Sequence, residues 1–173
     1  MVQTLKCDSL TAGDKYPCGE WDYIWSTFID VPKADTTEQF CLGSFVTPYG
    51  KRLKLGGDKG WKWIYDITEY APILKGDLNL TVGNNQELLD LKFHFIKGTP
   101  PRDIISIENI YPHANYKYEY LADDSLLSEI EIVLNPIASG YEIKSIISGH
   151  GHAGPRNCCE WDSKMHTWYI DSW

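Results

Sequence analysis

Tyr23-Ile24-Trp25-Ser26-Thr27-Phe28-Ile29-Asp30-Val31, followed by Glu38-Gln39-Phe40-Cys41-Leu42-Gly43-Ser44-Phe45-Val46-Thr47, is the stretch on which the fold turns. Both runs are short, rich in aromatic and β-branched residues and bounded by turn formers, the pattern of half-buried strands. Similar patches occupy residues 61–67, 78–82, 89–97, 103–111, 127–134, 141–147 and 165–170. Turn chemistry separates them at Pro48-Tyr49-Gly50, Gly56-Gly57-Asp58, Gly83-Asn84-Asn85, Gly98-Thr99-Pro100-Pro101 and Asn135-Pro136. Helical turns are expected only around 68–75 and 122–129, since neither stretch sustains a 3.6-residue apolar period. The chain is therefore expected to be all-β, a sandwich or jelly roll.

Composition narrows the function classes. Of 173 residues, 43% are hydrophobic, sufficient for a core, and the aromatics include seven Trp and eleven Tyr. Sixteen basic against 24 acidic residues give a formal charge of -8 with no Lys/Arg cluster, so a nucleic-acid partner is not expected. No apolar run approaches the ~20 residues of a membrane helix. Residues 1–6 hold no signal-peptide core.

Two consecutive prolines at Pro100-Pro101 cannot donate ladder hydrogen bonds, and the Gly98–Pro101 segment is the expected domain break, dividing residues 1–99 from 103–173. Each half is small for a closed two-layer β domain, and the chain stops on strand-like Trp168-Tyr169-Ile170-Asp171-Ser172-Trp173, so it is expected to be a piece of a longer protein. The five cysteines lie at 7, 18, 41, 158 and 159 without Cys-x-x-Cys spacing. Cys7 and Cys18 bracket a polar segment that would close as a disulfide loop, worth about 3 kcal/mol in an oxidising compartment.

One phrase occurs twice: Cys18-Gly19-Glu20-Trp21-Asp22 and Cys158-Cys159-Glu160-Trp161-Asp162. Brought together, two such clusters form a carboxylate pair walled by tryptophan. Indole faces stack on sugar C–H surfaces while one carboxylate activates water and the other holds or donates a proton. The plainer alternative is two similar strand edges with buried Trp and solvated acids. His150 and His152, two apart in Gly149-His150-Gly151-His152-Ala153, could join His166 in a zinc or copper site, or serve as cleft histidines bonded to backbone and carboxylates.

Taken in order, Cys18-Gly19-Glu20-Trp21-Asp22-Tyr23, Gly43-Ser44-Phe45-Val46-Thr47-Pro48-Tyr49-Gly50, Asp66-Ile67-Thr68-Glu69-Tyr70, Gly98-Thr99-Pro100, Ile147-Ser148-Gly149-His150-Gly151-His152-Ala153 and Cys158-Cys159-Glu160-Trp161 resemble the bacterial peptide-N-glycosidase F family. The likeness runs from Cys7 to about Ile170 and is strongest to uncharacterised members from gut-type bacteria. It implies two packed eight-stranded jelly rolls, both incomplete in this chain. The implied activity is hydrolysis of the amide between the innermost N-acetylglucosamine and asparagine, without a cofactor. An N-linked glycoprotein or glycopeptide is the implied partner, and a secreted or periplasmic monomer the implied state.

Carried over position by position, the resemblance puts the water-activating aspartate on Asp22, with Trp21 as its wall. It puts a second-domain glutamate on Glu160, at the expected domain interface, contacting sugar or assisting proton transfer, and Trp161 continues the cleft. The family's third acidic residue falls near Thr81-Val82-Gly83, where there is no carboxylate, and Glu87 is the nearest candidate. Tyr23 stands where the family has arginine, His150 where it has a sugar-contacting tryptophan, and Asp162 where it has a cysteine. These departures bear on substrate recognition. A non-catalytic jelly-roll module binding glycans or protein through the same aromatics is the alternative. A copper-type monooxygenase using His150, His152 and His166 is a more distant one, by fold analogy alone.

Overall fold

In this computed structural model the described residues are 1–8, 21–22, 24–47, 50, 57–83, 87–114, 116, 121, 126–147, 163 and 165–171. They are all-β. Six strands, β1 (Val2–Cys7), β2 (Ile24–Pro32), β3 (Thr37–Val46), β4 (Trp61–Ile64), β5 (Asn79–Gly83) and β6 (Glu87–Lys92), form two three-stranded antiparallel sheets. Their orders are β4-β1-β6 and β3-β2-β5. The helical content described is short 3-10 turns at Gly57–Lys59 and Thr68–Tyr70.

The sheets pack face to face through residues spaced two apart, as strand geometry requires. Gln3 and Leu5 of β1 point inward and are fully buried, as are Trp25, Thr27 and Ile29 of β2. Leu5 and Trp25 gather Phe45, Trp63, Val82 and Leu89 around them. A second cluster of Met1, Ile29, Phe40, Leu42 and Tyr70 fills the other end.

In β3 the inward positions Phe40 and Leu42 are two apart, but Phe45 lies three further on. A β-bulge reconciles them: Thr27 faces Gly43 while Phe28 faces Cys41, so Leu42 is the extra residue. Phe45 thereby reaches Trp25, with ring centroids 5.5 Å apart, and Tyr65, at 4.6 Å. The Tyr70 hydroxyl donates to the Cys41 carbonyl at 2.7 Å, tying the second 3-10 turn to the bulge. That turn opens on Asp66, whose Oδ1 accepts the Thr68 N–H at 2.9 Å and the Thr68 hydroxyl.

β1, the centre of its sheet, is absent from the strands expected from sequence. Its inward face reads Met1, Gln3, Leu5, and a glutamine at the middle position hides the alternation. Gln3 is tolerated there because its Oε1 accepts the Trp25 indole N–H at 2.9 Å.

The chain divides into two compact units, Met1–His113 and Ala114–Trp173. The Gly98–Pro101 segment, expected as a domain break, lies within the first. Residues beyond it return to that unit: Ile107 packs on the core, the Asn109 side chain donates to Glu38 Oε1 and to the Gln39 carbonyl, each at 3.0 Å, and His113 meets Phe28 edge-on at 4.7 Å. In the second unit the described residues of 127–134, 141–147 and 165–170, expected as strands, carry no ladder, and neither does 103–111 in the first. Their large apolar side chains, Val133 and Met165 among them, are mostly exposed, so no pleated face is buried there. Around 122–129 the described residues form only a bend.

Candidate functional site

One end of the first unit's sandwich collects Cys7, Trp21, Asp22 and Glu87, the sequence-predicted residues described in that unit. Strand register fixes this placement. Leu5 pairs with Trp61 and Cys7 with Glu87, so β4 and β6 begin where β1 ends. Ile24 pairs with Val46 and Ser26 with Gly83, so β2 begins where β3 and β5 end. Because Trp25 packs on Gln3 and Leu5 across the sheets, these two sets of ends coincide.

Trp21 and Asp22 lead into β2 at this end. Trp21 is 44% exposed and Asp22 half-buried, an open indole beside a partly sheltered carboxylate. Glu87, at the first position of β6, is a buried carboxylate. It shares its strand face with Leu89 and Leu91, both packed against the core, so it lies at the mouth between the sheets. Thr47, just beyond β3, is a second buried polar residue there. Cys7 is disulfide-bonded, while Cys41 is a free, half-buried thiol on β3 whose Sγ lies 3.8 Å from Ser44 Oγ.

Tyr23, Cys18, His150, His152, Glu160 and Trp161 lie outside the described residues, so of the expected carboxylate pair the structure places Asp22 alone. His166 is exposed in the second unit. Among the described residues no three His, Cys, Asp or Glu side chains converge as metal ligands. No helix among them is long and apolar enough to cross a membrane.

The same end holds tryptophans that sequence reasoning passed over. Trp61 and Trp63, two apart on β4, share the inward face, their rings tilted at 37° with centroids 6.2 Å apart. Trp63 meets Trp25 edge-on at 5.9 Å and 60°. A row of indoles thus runs from the buried Trp25 out to Trp61, which is 38% exposed. The Trp-Lys-Trp alternation was visible in the sequence, but its neighbours depend on β1. Chemically, this end offers flat apolar surfaces beside carboxylates, a combination suited to neutral, hydroxyl-rich ligands. Comparison with family models, with curated proteins and with solved structures finds no match to this chain.

Proposed function

We propose that this chain acts on N-linked glycoproteins or glycopeptides, hydrolysing the amide between the innermost N-acetylglucosamine and asparagine. The observation that carries the proposal is the juxtaposition of the exposed Trp21 with the half-buried Asp22 at the strand end where the buried Glu87 also lies. In this reading Asp22 takes the proton of the attacking water as it adds to the amide carbonyl and passes it to the glycosylamine nitrogen as the C–N bond breaks. Trp21 stacks on the sugar and orients the bond. The resemblance, not the geometry, assigns the second carboxylate to Glu160 and further sugar contacts to Tyr23, His150 and Trp161, and Glu87 is the candidate for the third acidic residue.

The sandwich is read as a jelly roll. The bond at Cys7 supports a Cys7–Cys18 pairing and an oxidising, secreted or periplasmic setting. Mass spectrometry of a denatured N-glycopeptide incubated with the protein and with Asp22→Asn tests the activity. Conversion of asparagine to aspartate with release of intact glycan, lost in the variant, is the expected result. Unchanged glycopeptide in both, alongside measurable binding, would replace the amidase with a glycan-binding module.

A further inference from the structure

Trp61 has the properties of a binding surface rather than of a misplaced core residue. It starts β4 on the inward face of an edge strand, with part of its indole open. The side chain is nevertheless held. Trp63 lies against it in a tilted contact, Trp25 braces Trp63, and the Trp25 N–H is fixed by the buried Gln3. Gly60 sets its position along the strand. With φ of +74° it turns the chain sharply into β4, and a Cβ there would sit 2.7 Å from the Leu5 carbonyl oxygen and 2.6 Å from Lys6 Cγ. Only glycine lets β4 start this close to β1. An aromatic surface ordered before its ligand arrives loses little freedom on binding.

We infer that Trp61 is a stacking platform for an outer pyranose ring of the bound glycan; this rests on the function proposed above and extends it to a second sugar subsite. β4 and β6 flank β1, so Trp61 lies two strand spacings, about 10 Å, from the strand that carries Glu87. With Glu87 lining the innermost sugar, as proposed above, a ring seated on Trp61 is one farther along the glycan. The indole covers the C–H face of that ring while its hydroxyls stay in water.

The test measures affinity in the Asp22→Asn background, where glycopeptide is not consumed. One N-glycopeptide carries its whole glycan, and a second is trimmed to the innermost sugar. Trp61→Ala is expected to weaken the whole-glycan peptide about tenfold, Trp61→Phe much less, and Ile64→Ala, an exposed apolar change on the same strand, not at all. The trimmed peptide should bind Trp61→Ala as well as its parent, which separates loss of a platform from a general loosening of the site. Equal affinities of Trp61→Ala and its parent for the whole glycan would overturn the platform while leaving the amidase reading intact. Weakening of both peptides alike would overturn it in favour of a structural role for Trp61. Failure of the parent to bind either peptide would remove the amidase reading, and the platform with it.

Discussion

Gln3 and Thr27 are both buried polar residues inside the sandwich, and replacing them has opposite consequences. Gln3 accepts the Trp25 N–H at 2.9 Å, so Gln3→Leu strands a buried indole donor, and a loss of about 1–3 kcal/mol is expected in denaturant unfolding. Thr27 Oγ1 is fully buried with no hydrogen-bond partner among the described residues. Its desolvation is uncompensated, so Thr27→Val should raise stability by about 1 kcal/mol. A lower unfolding midpoint for Thr27→Val would instead mean that the hydroxyl holds an ordered water. Sequence legibility divides at this scale. That Trp21 and Asp22 lead into a strand was readable, because the signal lies in the adjacent residues. Gln3 and Trp61 were not, because their roles come from partners 22 residues away in one case and across a strand ladder in the other.

Elements show the same division between local and distant causes. β2 was legible because its aromatic and β-branched run matches its burial, whereas the bulge in β3 breaks the period of two and becomes visible only against Thr27 and Phe28. Gly43 marks that bulge. Its backbone is not in the left-handed region, so alanine would gain about 0.4–1 kcal/mol from the unfolded chain. An alanine Cβ, however, would run into the Phe45 ring, which Trp25 and Tyr65 hold from either side. Overpacking at about 1–3 kcal/mol outweighs the gain, so Gly43→Ala should lower Tm; an unchanged or higher Tm would mean the ring can swing aside. The 3-10 turn at Thr68–Tyr70 carries a pH signature. The Thr68 hydroxyl and N–H, in that order, lower the Asp66 pKa below its ordinary value. A depressed folded-state pKa gives stability that is present above the unfolded-state pKa, near 3.9, and lost as pH falls through the folded-state value. The Tm of the wild type should therefore exceed that of Asp66→Ala at neutral pH, and the gap should close in acid. A gap that persists unchanged at low pH would assign the effect to lost turn geometry rather than to charge.

For the whole molecule, ladder pairing separates the two units. In Met1–His113 each strand of both sheets has at least one partner, and β1 and β2, central in their sheets, have two. Pro100-Pro101 lies eight residues past Lys92, the last ladder residue among those described, and the first compact unit runs on to His113. The reattachment of Ile107, Asn109 and His113 to the first unit is tertiary, built from side chains too far from the prolines for local reading. The second unit contrasts with this. Residues 126–147 have strand-forming composition but neither a ladder nor a buried apolar face among the described residues, so their amides lack the protection that pairing provides. Hydrogen exchange read by mass spectrometry should show peptides spanning β1 and β2 opening only with global unfolding, while peptides within 126–147 exchange orders of magnitude faster. Slow exchange across 126–147 at high protein concentration that becomes fast on dilution would show those residues pairing with a second copy of the chain. Slow exchange at every concentration would mean that the ladder expected from their composition forms within the single chain, contrary to the structure.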